Sequence, residues 1–245
     1  MNKFIEFIEK NVAPKANKLR NQKYVNAITS TFMTLIPFMT IGSFALILIS
    51  PSMDYTTMDP GFLRSFFEAW QNMADYIYGP FHAIFNGTMG SISLLTAIGI
   101  SYYLARDRKM TTYLPVALGG ATFMIVNAIG VDGKFSTTYF EGTGLFAAIV
   151  IAIATFELYR VLYDKKIGRI DFGGVGVPPA ISESFASLVP MTIVALVMGL
   201  FSAFIINTTG DVFPNLMSII MAPLLGSVDS VWGIAFASIL ITMFW

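Results

Sequence analysis

The chain has 245 residues, of which 55% are hydrophobic and 12% are charged, and its mean hydropathy is +0.68. Soluble domains carry about 25% charged residues, so this composition excludes an ordinary soluble domain and is typical of a membrane protein. The formal net charge of zero excludes a basic surface for nucleic acid, and the absence of cysteine excludes disulfides, thiolate metal sites and a cysteine nucleophile.

Five apolar stretches are long enough to cross a bilayer as helices, which requires about 20 mostly apolar residues. In chain order they cover residues 25–50, 77–105, 111–130, 144–163 and 185–206. A sixth apolar run extends only from Val231 to Trp245, or about 22 Å of helix against a hydrocarbon core of about 30 Å. The pattern predicts an all-α fold: a polytopic helical membrane protein with five full transmembrane helices, a truncated sixth and amphipathic interfacial helices.

Thirteen of the fifteen Lys and Arg residues lie in three clusters, which occupy alternate gaps between the apolar stretches. The clusters are Lys3, Lys10, Lys15, Lys18, Arg20 and Lys23; Arg106, Arg108 and Lys109; and Arg160, Lys165, Lys166 and Arg169. Loops on the cytoplasmic side of a membrane retain positive charge. The pattern therefore predicts a multi-pass protein whose N-terminus is cytoplasmic.

Three further segments are predicted to lie at the membrane surface. Residues 3–20 alternate apolar and charged side chains, which predicts a cytoplasmic amphipathic helix within residues 1–24. Residues 62–77 have helical amphipathic spacing on the outer face, with Asp59 as the expected N-cap. Residues 212–225 contain two prolines and no charge, which favours a re-entrant or interfacial piece.

These assignments divide the chain into three parts. Residues 1–24 form the cytoplasmic amphipathic helix, and residues 25–208 form a five-helix transmembrane domain. Residues 209–245 hold the interfacial segment and the start of the truncated sixth helix.

Two ionisable residues stand out as candidates for chemistry. His82, the only histidine, could relay a proton or accept a phosphoryl group, but it lies near the outer end of the second predicted span, where a packed or interfacial role is the stronger interpretation. Glu157 lies within the fourth span, where acids are often functional. Arg160 is three residues further along the same helix face, which favours a structural ion pair near the inner loop.

The segment 171–184 is rich in glycine and proline and precedes the fifth span. It lacks the Gly-Lys-Ser/Thr ending of a phosphate-binding loop, so a structured cytoplasmic turn is favoured over a ligand site. Pro178 and Pro179 predict an interruption of regular helix, and residues 181–184 (ISES) are expected to cap the helix that follows.

The remaining polar residues of the spans give no site. Asn86, Asn127 and Asn207 are expected to join helices by hydrogen bonds more often than to bind substrate. No cluster of His, Asp and Glu has the spacing of metal ligands, and no catalytic residue, metal site or cofactor is predicted.

Residues 4–43 (FIEFIEKNVAPKANKLRNQKYVNAITSTFMTLIPFMTIGS) resemble the start of the membrane permease subunit (IIC) of bacterial sugar phosphotransferase systems, in the lactose/cellobiose/diacetylchitobiose family. Residues 168–190 (GRIDFGGVGVPPAISESFASLVP) are similar to the loop before the fifth span of that family. Residues 233–245 (GIAFASILITMFW) resemble the start of its sixth helix. The resemblance runs the length of the chain but covers only the N-terminal half of such a permease.

The resemblance implies a homodimer of about ten spans per subunit, in which the first five spans supply most of the dimer contact. It implies import of a β-linked disaccharide or chitooligosaccharide across the bacterial cytoplasmic membrane, coupled to phosphorylation by a cytoplasmic IIB partner that works with IIA. The residues that contact the sugar would lie mainly beyond Trp245, so this part would not be catalytic on its own. An alternative is a small membrane scaffold or channel protein that is complete as given.

Overall fold

The structure is a computed structural model that describes residues 22–170, 176 and 178–228. Within these residues the chain forms seven α-helices: α1 (Lys23–Ile49), α2 (Phe62–Gly87), α3 (Ile92–Asp107), α4 (Tyr113–Asn127), α5 (Leu145–Asp164), α6 (Pro179–Thr209) and α7 (Phe213–Val228). Three-residue 3₁₀ helices cover Tyr55–Thr57, Met89–Ser91 and Gly142–Gly144. The predicted helix at residues 3–20, residues 171–175 and 177, and the truncated span at 231–245 lie outside the described residues.

Four helical stretches of the described chain are long and apolar enough to cross a membrane: Lys23–Ile49, Phe62–Asp107, Gly142–Asp164 and Ile181–Thr209. Tyr113–Asn127 and Phe213–Pro223 are shorter apolar helices. The prediction of an all-α, polytopic helical membrane protein is therefore confirmed.

Successive helices from α3 to α6 run antiparallel, and α1 is antiparallel to α3. Thr31 contacts Gly99 of α3, and Gly42 contacts Met89 in the 3₁₀ helix that precedes α3, so residue numbers rise along α1 as they fall along its neighbour. The later helices meet at Ser101–Gly119 between α3 and α4, Thr122–Thr155 between α4 and α5, and Tyr159–Ser187 between α5 and α6. The starts of α1, α4 and α6 and the ends of α3 and α5 consequently meet at one end of the bundle.

We call this end of the bundle the basic end, because the charge clusters of the sequence collect there. Eight of the ten Lys and Arg residues in the described part of the chain belong to it: Lys23, Arg106, Arg108, Lys109, Arg160, Lys165, Lys166 and Arg169. The other two are Arg64, in the first turn of α2, and Lys134, in the loop between α4 and α5. The Lys and Arg residues that occupy alternate gaps of the sequence are therefore concentrated at one end of the folded bundle.

The second predicted span is divided in the structure, and its predicted start at residue 77 is wrong. The amphipathic helix predicted for residues 62–77 continues as α2 to Gly87, the chain turns at Thr88, and α3 begins at Ile92. The indole nitrogen of Trp70 donates to the carbonyl of Leu48 over 3.0 Å, so α2 lies against the end of α1 that is opposite the basic end. Residues 77–87 are apolar enough to suit either a span or a surface helix, and composition alone did not separate the two.

Three other boundaries differ from the sequence predictions. Asp59 does not cap α2, because Gly61 occupies the N-cap position and no side chain bonds there. The third span is a helix of 15 residues, about 22 Å long, and is shorter than the predicted stretch 111–130. The helix α6 begins at Pro179, so residues 181–184 lie inside its first turns and do not precede it. Proline suits the first turn of a helix, where its missing N–H has no intrahelical partner.

Small residues let the helices of the bundle approach each other closely. A Cβ atom added to Gly99 would lie 2.5 Å from Cγ2 of Thr31, and one added to Gly42 would lie 2.5 Å from Cβ of Met89. The hydroxyls of Thr122 and Thr155, both buried, bond to each other over 2.8 Å. Helices in lipid associate through such close packing and interhelical hydrogen bonds, since lipid removes the hydrophobic drive between them.

Candidate functional site

A four-residue charge cluster joins α1 to α5 at the basic end. Nζ of Lys23 lies 2.7 Å from Oε1 of Glu157, and Nε of Arg160 lies 2.6 Å from Oε2 of the same carboxylate. The Arg160 contact is an ion pair by distance but lacks the angle of a hydrogen bond. Arg160 also reaches Asp164 at 3.9 Å, and Lys23 lies 4.4 Å from the centre of the Tyr24 ring.

The predicted pairing of Glu157 with Arg160 is confirmed, and the structure adds Lys23 as a second cation. Lys23 is 134 residues away in the sequence and opens α1. The side chains of Lys23 and Glu157 are 29% and 21% exposed, so both are partly withdrawn from water. Each carboxylate oxygen contacts one cation, and this pairing favours a structural role over a catalytic one.

A second set of contacts flanks residues 171–177. Arg169 lies 3.7 Å from the carboxylate of Glu183 on α6, and its guanidinium lies 5.2 Å from the centre of the Tyr163 ring. Gly168 has φ +69°, and a Cβ added to it would overlap Val189 on α6. Only glycine meets both demands, because a side chain would be strained at this φ and would also clash. The end of α5 and the start of α6 are thereby held together.

The described residues leave a polar groove open between α1 and α3, starting at the basic end. It consists of two adjoining cavities of about 400 and about 420 Å³ that share Asn26, Ser30, Tyr103 and Arg106. The first cavity is also lined by Lys23, Ala27, Asp107 and Lys109, and the second by Thr29, Met33 and Thr34. Thr34 and Tyr103 bond through their hydroxyls across the groove. We refer to these two cavities together as the polar groove.

His82 lies on α2, which packs at the end of the bundle opposite the basic end. Its ring stacks on Tyr78 with centroids 5.0 Å apart and on Phe85 at 6.3 Å, and its Nδ1 lies 3.2 Å from the amide nitrogen of Asn86. These are uncharged partners, and a stacked ring with an amide neighbour is the packed arrangement that the sequence favoured. The position does not suit a residue that takes a phosphoryl group from a donor at the basic end.

The three span asparagines have different surroundings. Asn86 bonds to His82, Asn207 is exposed near the end of α6, and Asn127 is 2% exposed with neither amide atom hydrogen-bonded among the described residues. The expectation of interhelical bonds is therefore not met by Asn127, and the Asn86–His82 contact lies within α2.

The described residues contain no group of three or more His, Cys, Asp and Glu that could hold a metal ion.

Two titratable groups outside the helices have shifted pKa values. Hydrogen bonds from the hydroxyl and backbone N–H of Thr56 lower the pKa of Asp54 in the loop after α1. Burial raises the pKa of Tyr139, and the nearby Asp211 carboxylate raises it further. Both groups lie away from the basic end.

The sequence does not predict two of these contacts, that of Lys23 with Glu157 and that of Arg169 with Glu183. The topology predicts Lys23 and Glu157 at the same membrane face, but it does not say which of the five helices are neighbours. Glu183 was expected to cap a helix, whereas it pairs with Arg169 across the segment 171–177.

The family model described as "Phosphotransferase system, EIIC" matches residues 29–245. The chain belongs to this family. Among its curated relatives, the cellobiose-specific EIIC component of Geobacillus stearothermophilus is 27% identical over 100% of this chain and 55% of the relative. The lichenan permease IIC component of Bacillus subtilis (strain 168) is 28% identical over 78% of this chain and 42% of the relative.

A solved structure agrees with this assignment. The transporter ChbC, described as the IIC component of the N,N'-diacetylchitobiose-specific phosphotransferase system, matches with a TM-score of 0.80 and 27% identity. The match covers 98% of this chain and 56% of that chain. This EIIC chain therefore spans about half the length of the relatives and the solved structure that it matches, and it follows the EIIC fold over that half.

Proposed function

We propose that the chain is the N-terminal portion of a permease that imports a β-linked disaccharide or chitooligosaccharide and couples import to phosphorylation. The observation that carries this proposal is the match over essentially the whole chain to proteins named for cellobiose and N,N'-diacetylchitobiose. The alternative, a small scaffold or channel complete as given, has no comparable support from the relatives.

Within that permease, this half acts as scaffold and dimerisation domain, and the phosphoryl transfer occurs elsewhere. The support is chemical: His82 is packed at the end opposite the basic end, and Glu157 is held by two cations. The described helices also place long apolar faces on the outside of α1 and α6, where lipid, a second subunit or the other half of the transporter would cover them.

We also propose that the basic end faces the cytoplasm, where IIB and IIA would meet it. The support is the collection of eight described cations at that end, because cytoplasmic loops retain Lys and Arg. The chain contains no cysteine, so single cysteines can be introduced without a labelled background. A membrane-impermeant maleimide should label Lys134→Cys from outside intact cells and should label Arg108→Cys only after the membrane is permeabilised. Labelling of both from outside would contradict the orientation.

Sugar uptake tests the function itself. Cells that express the complete reading frame containing residues 1–245, together with IIB and IIA, should accumulate phosphorylated cellobiose or N,N'-diacetylchitobiose but not the α-linked control maltose. Residues 1–245 alone should insert in the membrane and show no uptake. Uptake by residues 1–245 alone would contradict the assignment of the sugar site to the other half, and failure of the complete protein on all β-linked sugars would contradict the substrate class.

A further inference from the structure

The exposed side of α1 changes character along its length. Near the basic end it lines the polar groove with Asn26 and Ser30, and Met33 and Thr34 follow one turn further on. Beyond these residues a third cavity of about 320 Å³ is predominantly apolar, lined by Ile36, Met39, Thr40, Ser43, Phe44 and Ile47. The same helix face thus carries a polar section followed by an apolar one, with about 20 Å between Lys23 and Ile36.

The polar section carries positive charge that is not neutralised by the described residues. Arg106 and Lys109 are exposed, line the groove and form no ion pair within the described part of the chain. Lys23 is paired with Glu157, and Asp107 is the one acid on the groove wall. Setting the Lys23–Glu157 pair aside, the groove has two cations and one anion, so it attracts an anionic group.

We propose that the polar groove binds the headgroup of an anionic phospholipid and that the acyl chains of this lipid lie along the apolar section of α1. Cationic pockets between membrane helices are suited to anionic headgroups. Arg106 and Lys109 contact the phosphate, while the amide nitrogen of Asn26, whose Oδ1 accepts from the Ser30 hydroxyl over 3.3 Å, is placed to donate to phosphate or ester oxygens. The apolar cavity continues from the polar one in the direction that acyl chains take from a membrane surface.

Two other occupants fit the groove less well. A second copy of the chain related by a two-fold axis would present the same surface, so the interface would hold the Arg106 and Lys109 cations of both copies. Free phosphate satisfies the cations but leaves the apolar section without a partner. Only an amphiphile with an anionic head matches both sections of α1.

Native mass spectrometry of purified residues 1–245 tests the proposal, with dioleoylphosphatidylglycerol and dioleoylphosphatidylcholine added in equal amounts. We expect the wild-type chain to retain phosphatidylglycerol in preference to phosphatidylcholine. Arg106→Gln should weaken that retention about fivefold. Arg106→Gln combined with Lys109→Asn should weaken it about 25-fold, because each substitution removes one cation that contacts the headgroup. Asparagine is chosen for position 109 because Lys109 has φ 55°, a conformation that asparagine tolerates.

Arg108 provides the matched control, because it is exposed on the same turn and lines neither cavity. Arg108→Gln should retain phosphatidylglycerol like the wild-type chain. The proposal is overturned if Arg106→Gln and Arg108→Gln behave alike, or if phosphatidylcholine binds equally well. It is also overturned if inorganic phosphate displaces the lipid completely, or if Arg106→Gln changes only the monomer–dimer ratio. Circular dichroism and gel filtration of each variant establish that it is folded, and a sugar-uptake failure leaves these results unaffected.

Discussion

The carboxylate of Glu157 is shared by two cations, so its removal should cost more stability than the removal of either cation. Glu157→Gln leaves Lys23 without its counterion and Arg160 with only its 3.9 Å contact to Asp164, whereas Lys23→Met leaves the carboxylate paired with Arg160 at 2.6 Å. The structure therefore predicts an asymmetry between two substitutions that each break the same 2.7 Å contact between α1 and α5.

The magnitude follows from distance and exposure. At an effective dielectric constant of about 20, two charges 2.7 Å apart attract by about 6 kcal/mol before desolvation, which offsets most of this. Exposed pairs contribute about 0.2–1 kcal/mol, and breaking a buried pair costs about 3–5 kcal/mol. Because these side chains are 21–29% exposed, we expect about 2–3 kcal/mol for Glu157→Gln and about 1 kcal/mol for Lys23→Met.

Thermal unfolding of the purified chain, followed by tryptophan fluorescence at low and high salt, measures both effects. The double variant gives the coupling energy between the two positions, which should be about 1 kcal/mol. Lys134→Met is the matched control, because its ion pair with Asp132 is 3.4 Å long and its side chain is 83% exposed, so no measurable change is expected. Equal losses for the Lys23 and Glu157 variants, or strict additivity in the double variant, would refute the shared-carboxylate reasoning.

Two further predictions concern the packing between helices. Gly99→Ala should destabilise the fold by about 1–3 kcal/mol, because its Cβ would lie 2.5 Å from Cγ2 of Thr31, and adding Thr31→Ala should recover most of the loss in thermal unfolding. Gly79→Ala, on α2 with no atom within 4 Å of the new Cβ, is the control and should be neutral or stabilising. Tyr159→Phe should lower the free energy of unfolding by about 1 kcal/mol, because it removes the buried 3.0 Å hydrogen bond to Ser187. In the same thermal-unfolding measurement, adding Ser187→Ala to Tyr159→Phe should cost less than Ser187→Ala costs in the wild-type chain.

The spans of the bundle were largely predictable because lipid imposes a simple rule on sequence. Each crossing helix must be apolar for about 20 residues, and the cytoplasmic gaps must hold the cations. Those two constraints predicted α1, α5 and α6 and the collection of charge at one end. They also predicted the Glu157–Arg160 pair, since residues three apart on a helix share a face.

The errors arose where a turn divides an apolar stretch or where neighbouring helices had to be identified. Residues 77–87 have the composition of a span, but the turn at Thr88 assigns them to α2. The contact between Lys23 and Glu157 depends on which helices pack together, and apolar spacing does not encode this choice. Glu183 has the residue type of a capping acid, and only the three-dimensional position of Arg169 shows its partner.

The long sequence interval between Lys23 and Glu157 has a consequence for biosynthesis. A ribosome adds about 5–20 residues per second, so the 134 residues between the two positions take on the order of 10 s to synthesise. During that interval the Lys23 ammonium group lacks the Glu157 carboxylate with which it pairs in the folded chain. Lysine side chains near a membrane surface can reach lipid phosphates, so we expect Lys23 of newly inserted chains to exchange a lipid partner for Glu157 as α5 arrives.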